Sequence, residues 1–208
     1  RIKDYLFFDV SGFLLQYNNR IGVIAQQKQD GTFYNLRTNV GNSSSRGIEA
    51  LVEFSPFKAW KVKPAAGNLT AFASVAFIHA TYDQLRVITR QGNRLVETNL
   101  KNNRVENAPE QIYRTGITYS RKKLTVTTQY SHVYDAFSDA NNTRTPTANG
   151  VNGLIPAYSI VDISGTCKFT EMFYLKAGIN NLLNKKYFTR RANGYPGPGI
   201  LAAEPRNF

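Results

Sequence analysis

The sequence predicts an all-β protein, an antiparallel transmembrane β-barrel whose wall is crossed by strands rather than helices. Three observations carry that expectation. Apolar and polar residues alternate with period two along most of the 208 residues, which places successive side chains on opposite faces of a strand. Tight turns alternate with long polar connections, the asymmetry of an outer-membrane barrel. No apolar run approaches the roughly 18 residues that a membrane-spanning helix needs, and the mean hydropathy is negative.

Seven strands are expected, at 4–27, 36–56, 68–82, 111–121, 123–135, 157–169 and 172–189, with an eighth beginning near Arg206. The clearest alternation lies in 46–55. There Ile48, Ala50, Val52 and Phe54 share one face, and Glu49 and Glu53 share the other with Gly47 and Leu51. On a helix those four apolar residues would be spread around the circumference. In 111–121, Tyr113, Thr115, Ile117 and Tyr119 oppose Arg114, Gly116, Thr118 and Ser120. In 123–135, Leu124, Val126, Thr128 and Tyr130 oppose Thr125, Thr127, Gln129 and Ser131. Val161, Ile163, Gly165, Cys167 and Phe169 oppose Asp162, Ser164, Thr166 and Lys168; Phe173, Leu175, Ala177 and Ile179 then oppose Tyr174, Lys176, Gly178 and Asn180.

These are strands with one wet face. The pattern directs Ile48, Val52, Val126, Val161, Ile163 and Ile179 to lipid, and Glu49, Gln129, Asp162 and Asn180 to the lumen. Several strands exceed the usual five or six residues, as a tilted bilayer crossing of about 9–11 residues requires. Tyr17, Trp60, Tyr82, Tyr134, Tyr158 and Tyr187 stand near strand ends. They fit an interfacial aromatic girdle or ordinary β-propensity.

Among the connections, 120–123 and 170–172 are short, whereas 83–110, 136–156 and 190–205 are long and rich in Asn, Gly, Pro and Arg. Loops of that length carry function or are disordered, so the long set is expected outside the cell and the short set in the periplasm. The chain opens with Arg1-Ile2-Lys3 directly into alternating sequence, and an internal start is expected.

The 26 Lys and Arg against 14 Asp and Glu give a net charge of +12, which directs attention to anionic partners. A nucleic-acid reader is set aside, because the sequence holds no zinc-finger spacing, helix-turn-helix pattern or aromatic RNA-recognition signature. The charge reads as scattered through loops. Cys167 is the single cysteine, and His79 and His132 stand apart from carboxylates or thiolates at metal-site spacing. No G-x-S-x-G elbow, H-E-x-x-H or Walker loop is present, so neither catalysis nor a resident cofactor is expected.

The run Ile179-Asn180-Asn181-Leu182-Leu183-Asn184-Lys185-Lys186-Tyr187-Phe188 resembles the "NNLfDkkY" signature near the end of TonB-dependent outer-membrane receptors, with Asn184 where Asp is commoner. Arg46-Gly47-Ile48-Glu49-Ala50 resembles their "RGvE" strand; Ala108-Pro109-Glu110, Ile155-Pro156-Ala157-Tyr158 and Val161-Asp162 follow in the expected order. That resemblance implies a 22-stranded barrel closed by a separate N-terminal plug, of which residues 1–208 are the last seven or eight strands, without the plug and the final strand. It also implies import of a ferric chelate with energy from the TonB complex acting through the N-terminal part, with iron present only inside the cargo. Tyr134-Asp135-Ala136-Phe137 through Thr143, and Tyr187 through Gly199, resemble the ferric-citrate-type branch.

On that reading Arg190 and Arg191, where the penultimate strand emerges, would donate paired hydrogen bonds to carboxylates of an anionic chelate. Asn193 would donate to the same ligand or shape the Asn193-Gly194 turn. Arg86, Arg90 and Arg94 form a second cluster. The competing role for all of them is a solvated rim touching lipopolysaccharide. Two other functions remain open at this level: a passive porin or small barrel, and a soluble β-sandwich, which needs two sheets covering each other's apolar faces.

Overall fold

β-branched and aromatic residues in alternation build strands wherever the sequence repeats them. The computed structural model describes residues 3–27, 33–192 and 199–208. Its strands are β1 (Leu6–Gln27), β2 (Phe33–Phe54), β3 (Asn68–Gln91), β4 (Arg94–Asn99), β5 (Gln111–Arg121), β6 (Leu124–Val133), β7 (Ala136–Phe137), β8 (Leu154–Ile155), β9 (Tyr158–Lys168), β10 (Tyr174–Ile179), β11 (Phe188–Ala192) and β12 (Gly199–Ala202). A one-turn helix, α1 (Pro56–Ala59), and a 3-10 turn at Pro64–Ala66 join β2 to β3. Pro56 at the first helical position ends the second strand two residues before its expected limit.

One antiparallel sheet runs in the order β1-β2-β3-β5-β6-β9-β10, with β4 added to β3. Strands therefore follow one another up and down, as a barrel wall requires, and β1 and β10 form its two open edges.

The registers carry each face across all the strands. One row reads Phe8, Val52, Ala73, Thr115, Tyr130, Val161, and the next reads Leu6, Phe54, Ala71, Ile117, Thr128, Ile163, Ile179. Rows of the opposite face read Asp9, Leu51, Ser74, Arg114, Ser131, Ile160, and Phe7, Glu53, Phe72, Gly116, Gln129, Asp162. The lipid set and the lumen set expected from sequence thus fall on opposite faces, one apolar and one polar. Two glycines of the polar face make room for rings. A Cβ at Gly116 would lie 2.5 Å from Phe72, and one at Gly47 would lie 2.6 Å from Phe13, so each paired phenyl lies across the bare backbone.

The apolar face is open. Val10, Leu14 and Ile48 are 65%, 64% and 56% exposed, whereas the buried apolar residues, among them Leu85, Leu100, Ala136, Phe137 and Ile155, all lie at the end of the sheet that carries the long connections. The other sheets among the described residues are the two-stranded pairs β11–β12 and β7–β8, too small to cover a wall of seven strands. Among the described residues, no second sheet covers the apolar face as a sandwich needs.

Two expected boundaries are corrected. Segment 83–110 is a hairpin arm rather than a loop: β3 continues to Gln91, turns at Gly92 (φ 62°), and returns as β4. Segment 172–189 is two strands, because β10 ends at Ile179. Asn181 adopts φ 50°, and its backbone N–H donates to Asp162 Oδ1 at 2.8 Å. Its side chain donates to Lys185 O at 2.9 Å and accepts from Lys185 N–H at 2.8 Å. These bonds reward a left-handed turn over continued extension. The eighth strand near Arg206 is present as a single antiparallel bridge, Asn180 to Asn207.

Candidate ligand-binding crown

The long connections assemble at one end of the sheet into an ordered crown. Its first part is the β3–β4 arm. Below the paired strands, hydrogen bonds continue down the same edge of β3: Leu100 N–H to Leu85 O at 2.8 Å, Tyr82 N–H to Asn103 O at 2.9 Å, Val105 N–H to Ala80 O at 3.0 Å and Ile78 N–H to Glu110 O at 2.8 Å. Tyr82, Leu85 and Leu100 form the apolar cluster beneath, flanked by Val40, Val87, Val105 and Ala140. These bonds fasten the 100–110 segment along the edge of β3.

A charged network fastens the arm to the wall. Arg20 of β1 donates to Ser43 Oγ at 2.9 Å and pairs with Glu106 at 3.7 Å. Its guanidinium lies 5.3 Å from the Tyr82 ring centre, and the Tyr82 hydroxyl donates to Glu106. Burial, then the hydrogen bond and negative charge of Glu106, hold the Tyr82 phenol well above the ordinary value. Arg104 then ties the arm to the β6–β9 connection. It meets Asp135 at 3.4 Å and Glu110 at 3.5 Å, donates to Asp135 O at 2.9 Å, and stacks 5.1 Å from the Phe137 ring centre. Asn142 pairs with the Arg104 backbone as a strand would, accepting from its N–H and donating to its O, both at 2.8 Å.

The predicted arginines take different positions in this crown. Arg191 is half-buried: it donates to Gly150 O at 2.8 Å and to Leu154 O at 2.9 Å, and lies 5.0 Å from the Phe188 ring centre. Its donors hold the β11–β12 hairpin against the β6–β9 connection. Arg190, the adjacent residue in β11, points to the opposite face and is exposed. Arg86 pairs with Glu97 at 3.7 Å across the arm, and Arg90 donates to Gly92 O at 2.7 Å beside the tip. Arg94 shares its register position with Gln91 and so faces away from Arg86 and Arg90. Asn193 and the Gly194–Pro198 stretch lie outside the described residues.

Sequence reasoning missed Arg20, Tyr82, Arg104 and Glu106 as a unit. Their separation in sequence hid them; a Gly-Asn turn flanked by alternation at 84–98 was the signal that could have revealed the arm. Tyr82 is 3% exposed and belongs to this network, which removes it from the aromatic girdle. Tyr158 and Tyr187 stack on each other at 4.5 Å within the crown. Trp60, at the opposite end, is 72% exposed.

The family model "TonB dependent receptor-like, beta-barrel" matches residues 2–182. No curated protein matches. Among solved structures, the chain superposes on the ferric citrate transporter FecA in its unliganded form with a TM-score of 0.72 at 21% identity, covering 98% of this chain and 28% of that one. It superposes on the siderophore receptor PiuA of Acinetobacter baumannii with a TM-score of 0.68 at 18% identity, covering 99% and 25%. The ferric yersiniabactin uptake receptor FyuA of Yersinia pestis gives 0.63 at 14% identity, covering 98% and 26%. The chain therefore spans about a quarter of the length of the structures it matches, and at these identities the likeness is one of fold. With its motifs, up-and-down sheet and family match in agreement, the chain belongs to the TonB-dependent receptor-like β-barrel family.

Proposed function

We propose that this chain is the C-terminal wall of an outer-membrane receptor that binds a ferric chelate at its crown and imports it with energy from TonB. The observation that carries the reading is the coexistence of an open apolar face, a polar face and a hydrogen-bonded, arginine-bearing crown at one end of a single sheet. Hydrocarbon satisfies the first, a hydrated lumen the second, and a ligand mouth the third. In the complete receptor, further strands pair with β1 and β10, because an unpaired sheet edge is untenable in lipid. TonB acts through a plug carried by the N-terminal part, and the crown borders lipopolysaccharide. Iron enters only inside the cargo, and the family is one of receptors rather than enzymes.

The cargo is anionic, in the ferric-citrate or siderophore class. Arg190 contacts its carboxylates and Asn193 assists; Arg86 and Arg90 present a second basic surface on the arm, and Arg191 holds the hairpin that carries Arg190. Each charge-assisted hydrogen bond contributes about 1.5–3 kcal/mol, so replacing both Arg190 and Arg191 with Gln should weaken ferric-chelate affinity at least roughly tenfold. The measurement is a titration of the complete receptor at low and high salt, after confirming its assembly. Unchanged affinity at both would assign Arg190 to the rim and leave Arg191 no part in cargo binding.

A further inference from the structure

The net positive charge, which sequence reading spreads through the loops, is concentrated by the fold at the end opposite the crown. Lys58, Lys61 and Lys63 lie in the β2–β3 connection. Arg121, Lys122 and Lys123 form the β5–β6 turn; Lys168 closes β9, and Lys3 precedes β1. Segments 3–5, 55–67, 120–124 and 168–173 hold eight Lys and Arg against two acids, Asp4 and Glu171, so they carry +6, half of the chain's +12. All eight side chains are exposed. Among the described residues, the ion pairs Arg20–Glu106, Arg86–Glu97, Arg104–Glu110 and Arg104–Asp135 all lie in the crown, and no lysine of the turn end has a carboxylate partner.

Backbone geometry marks the same residues. The non-glycine residues with positive φ at the turn end differ in type from the rest. Elsewhere they are Asn19, Asn102, Asn107 and Asn142 in the crown, and Asn181 and Asn184 in the turn that ends β10 beside the middle of β9, all of them the side chain that tolerates this region best after glycine. At the turn end they are Lys3 (φ 51°), Lys61 (φ 54°) and Lys122 (φ 49°). Gly or Asn would fit these turns with less strain, so the backbone bears a cost to keep an ammonium there. Between the turns lies a cleft of about 920 Å³ lined by Lys3, Lys58, Lys61, Arg121 and Lys122, with Asp4 its lone carboxylate.

The apolar face ends at this same level. Trp60, Phe169 and Phe173 are 72%, 55% and 67% exposed. Phe169 and Phe173 close the β9–β10 turn through a hydrogen bond of 2.9 Å from Phe169 N–H to Phe173 O. Immediately beyond aromatic rings at the edge of an apolar band stand cations without a carboxylate partner, although Arg121 Nε donates to Ala65 O at 3.1 Å and Lys123 Nζ to Phe169 O at 2.5 Å, and this matches the layered chemistry of a bilayer surface: hydrocarbon, then interface, then phosphate.

We propose that the turn end of the sheet is a binding surface for anionic phospholipid headgroups, whose phosphates the lysines and Arg121 engage while Trp60, Phe169 and Phe173 sit at the hydrocarbon boundary. The proposal rests on the membrane-spanning reading above and extends it to one leaflet. Other occupants, such as a further segment of the receptor packing on the same lysines, are distinguished by experiment.

The complete receptor is reconstituted into bilayers of equimolar phosphatidylcholine and phosphatidylglycerol, and its preference for spin-labelled phosphatidylglycerol over phosphatidylcholine is measured. A Lys near an anionic surface is worth about a fivefold change in association. The K58Q/K61Q/K63Q variant should therefore lose at least about threefold of that preference. Substitution of the same lysines by Arg should retain it, and high salt should weaken it in the parent. Lys122→Asn gives an independent readout: it should lower the preference while leaving thermal stability unchanged or raised, since Asn suits φ 49° better than Lys. Equal preference in parent and Gln variants would overturn the proposal. So would a loss of thermal stability with unchanged lipid preference, which would place protein against these lysines. A spin label at Val52 that lipid-soluble quenchers fail to reach would sink the membrane reading itself, and the headgroup surface with it.

Discussion

At the scale of single residues, Arg191 supports the crown, whereas cargo contact is what is proposed for the exposed Arg190. Arg191 gives its guanidinium to the Gly150 and Leu154 carbonyls. Arg191→Ala should therefore free the 144–155 connection, at a cost of about 2 kcal/mol for the lost charge-assisted bonds. Limited proteolysis of the assembled receptor reads this as faster cleavage in that connection. Arg190→Gln should leave cleavage unchanged and weaken the chelate alone; equal cleavage in both variants would remove the supporting role of Arg191. Tyr82 supplies a pH-dependent counterpart. Its phenol is held above the ordinary value by burial and by Glu106, so its contribution is complete below the unfolded phenol value of about 10. Above that value the unfolded chain loses the proton first, and stability falls as pH rises toward the raised folded value. The protection of arm amides, after correction for the intrinsic rise of exchange with pH, should fall above about pH 10, and Tyr82→Phe should remove that fall.

At the scale of elements, the end of β10 is decided by one side chain. Asn181 is 3% exposed and closes the turn with bonds to Lys185 while its N–H meets Asp162. Asn181→Ala should destabilise the assembled barrel by roughly 2–3 kcal/mol, because buried partners lose their bonds and Ala resists positive φ. Asn181→Gly, which relieves the backbone but not the lost bonds, should recover part of the loss. Denaturant unfolding of the three proteins checks the order, and an Ala variant as stable as the parent would contradict it. The arm shows the converse. Its alternation at 84–98 belonged to a strand all along, but its polar composition matched that of a loop, and only the pairing of β3 with β4 distinguishes them.

At the scale of the whole molecule, the prediction concerns register. Because side chains alternate with period two, a slip of one residue exchanges the faces. Spin labels at Ile48, Val52 and Val161 should be reached by lipid-soluble quenchers, and labels at Glu49, Gln129 and Asp162 by aqueous ones. The reverse pattern would place the polar face outward and overturn the barrel wall described here. Protease added to intact cells should cut the crown connections and spare the turns at 121–123 and 170–172, with the opposite result inverting the topology.

Alternation at 46–55, 111–131 and 161–179 was enough to establish strands, their two faces and the class of barrel, because a period of two is local and each residue reports its own side. The short turns were equally legible, since a break in alternation over three or four residues leaves little choice. What only the tertiary structure decided was long-range. Arg20, Tyr82 and Glu106 form one group and Arg104 and Asp135 another, because β1, β3 and the β4–β5 and β6–β9 connections converge at one end. The basic end depends equally on the fold, since Lys3, Lys58, Lys122 and Lys168 are distant in sequence and meet only when the strands stand side by side in register. Period and charge are properties of a segment, whereas a site is a property of which segments are neighbours, and hydrogen-bond pairing across the sheet selects those neighbours.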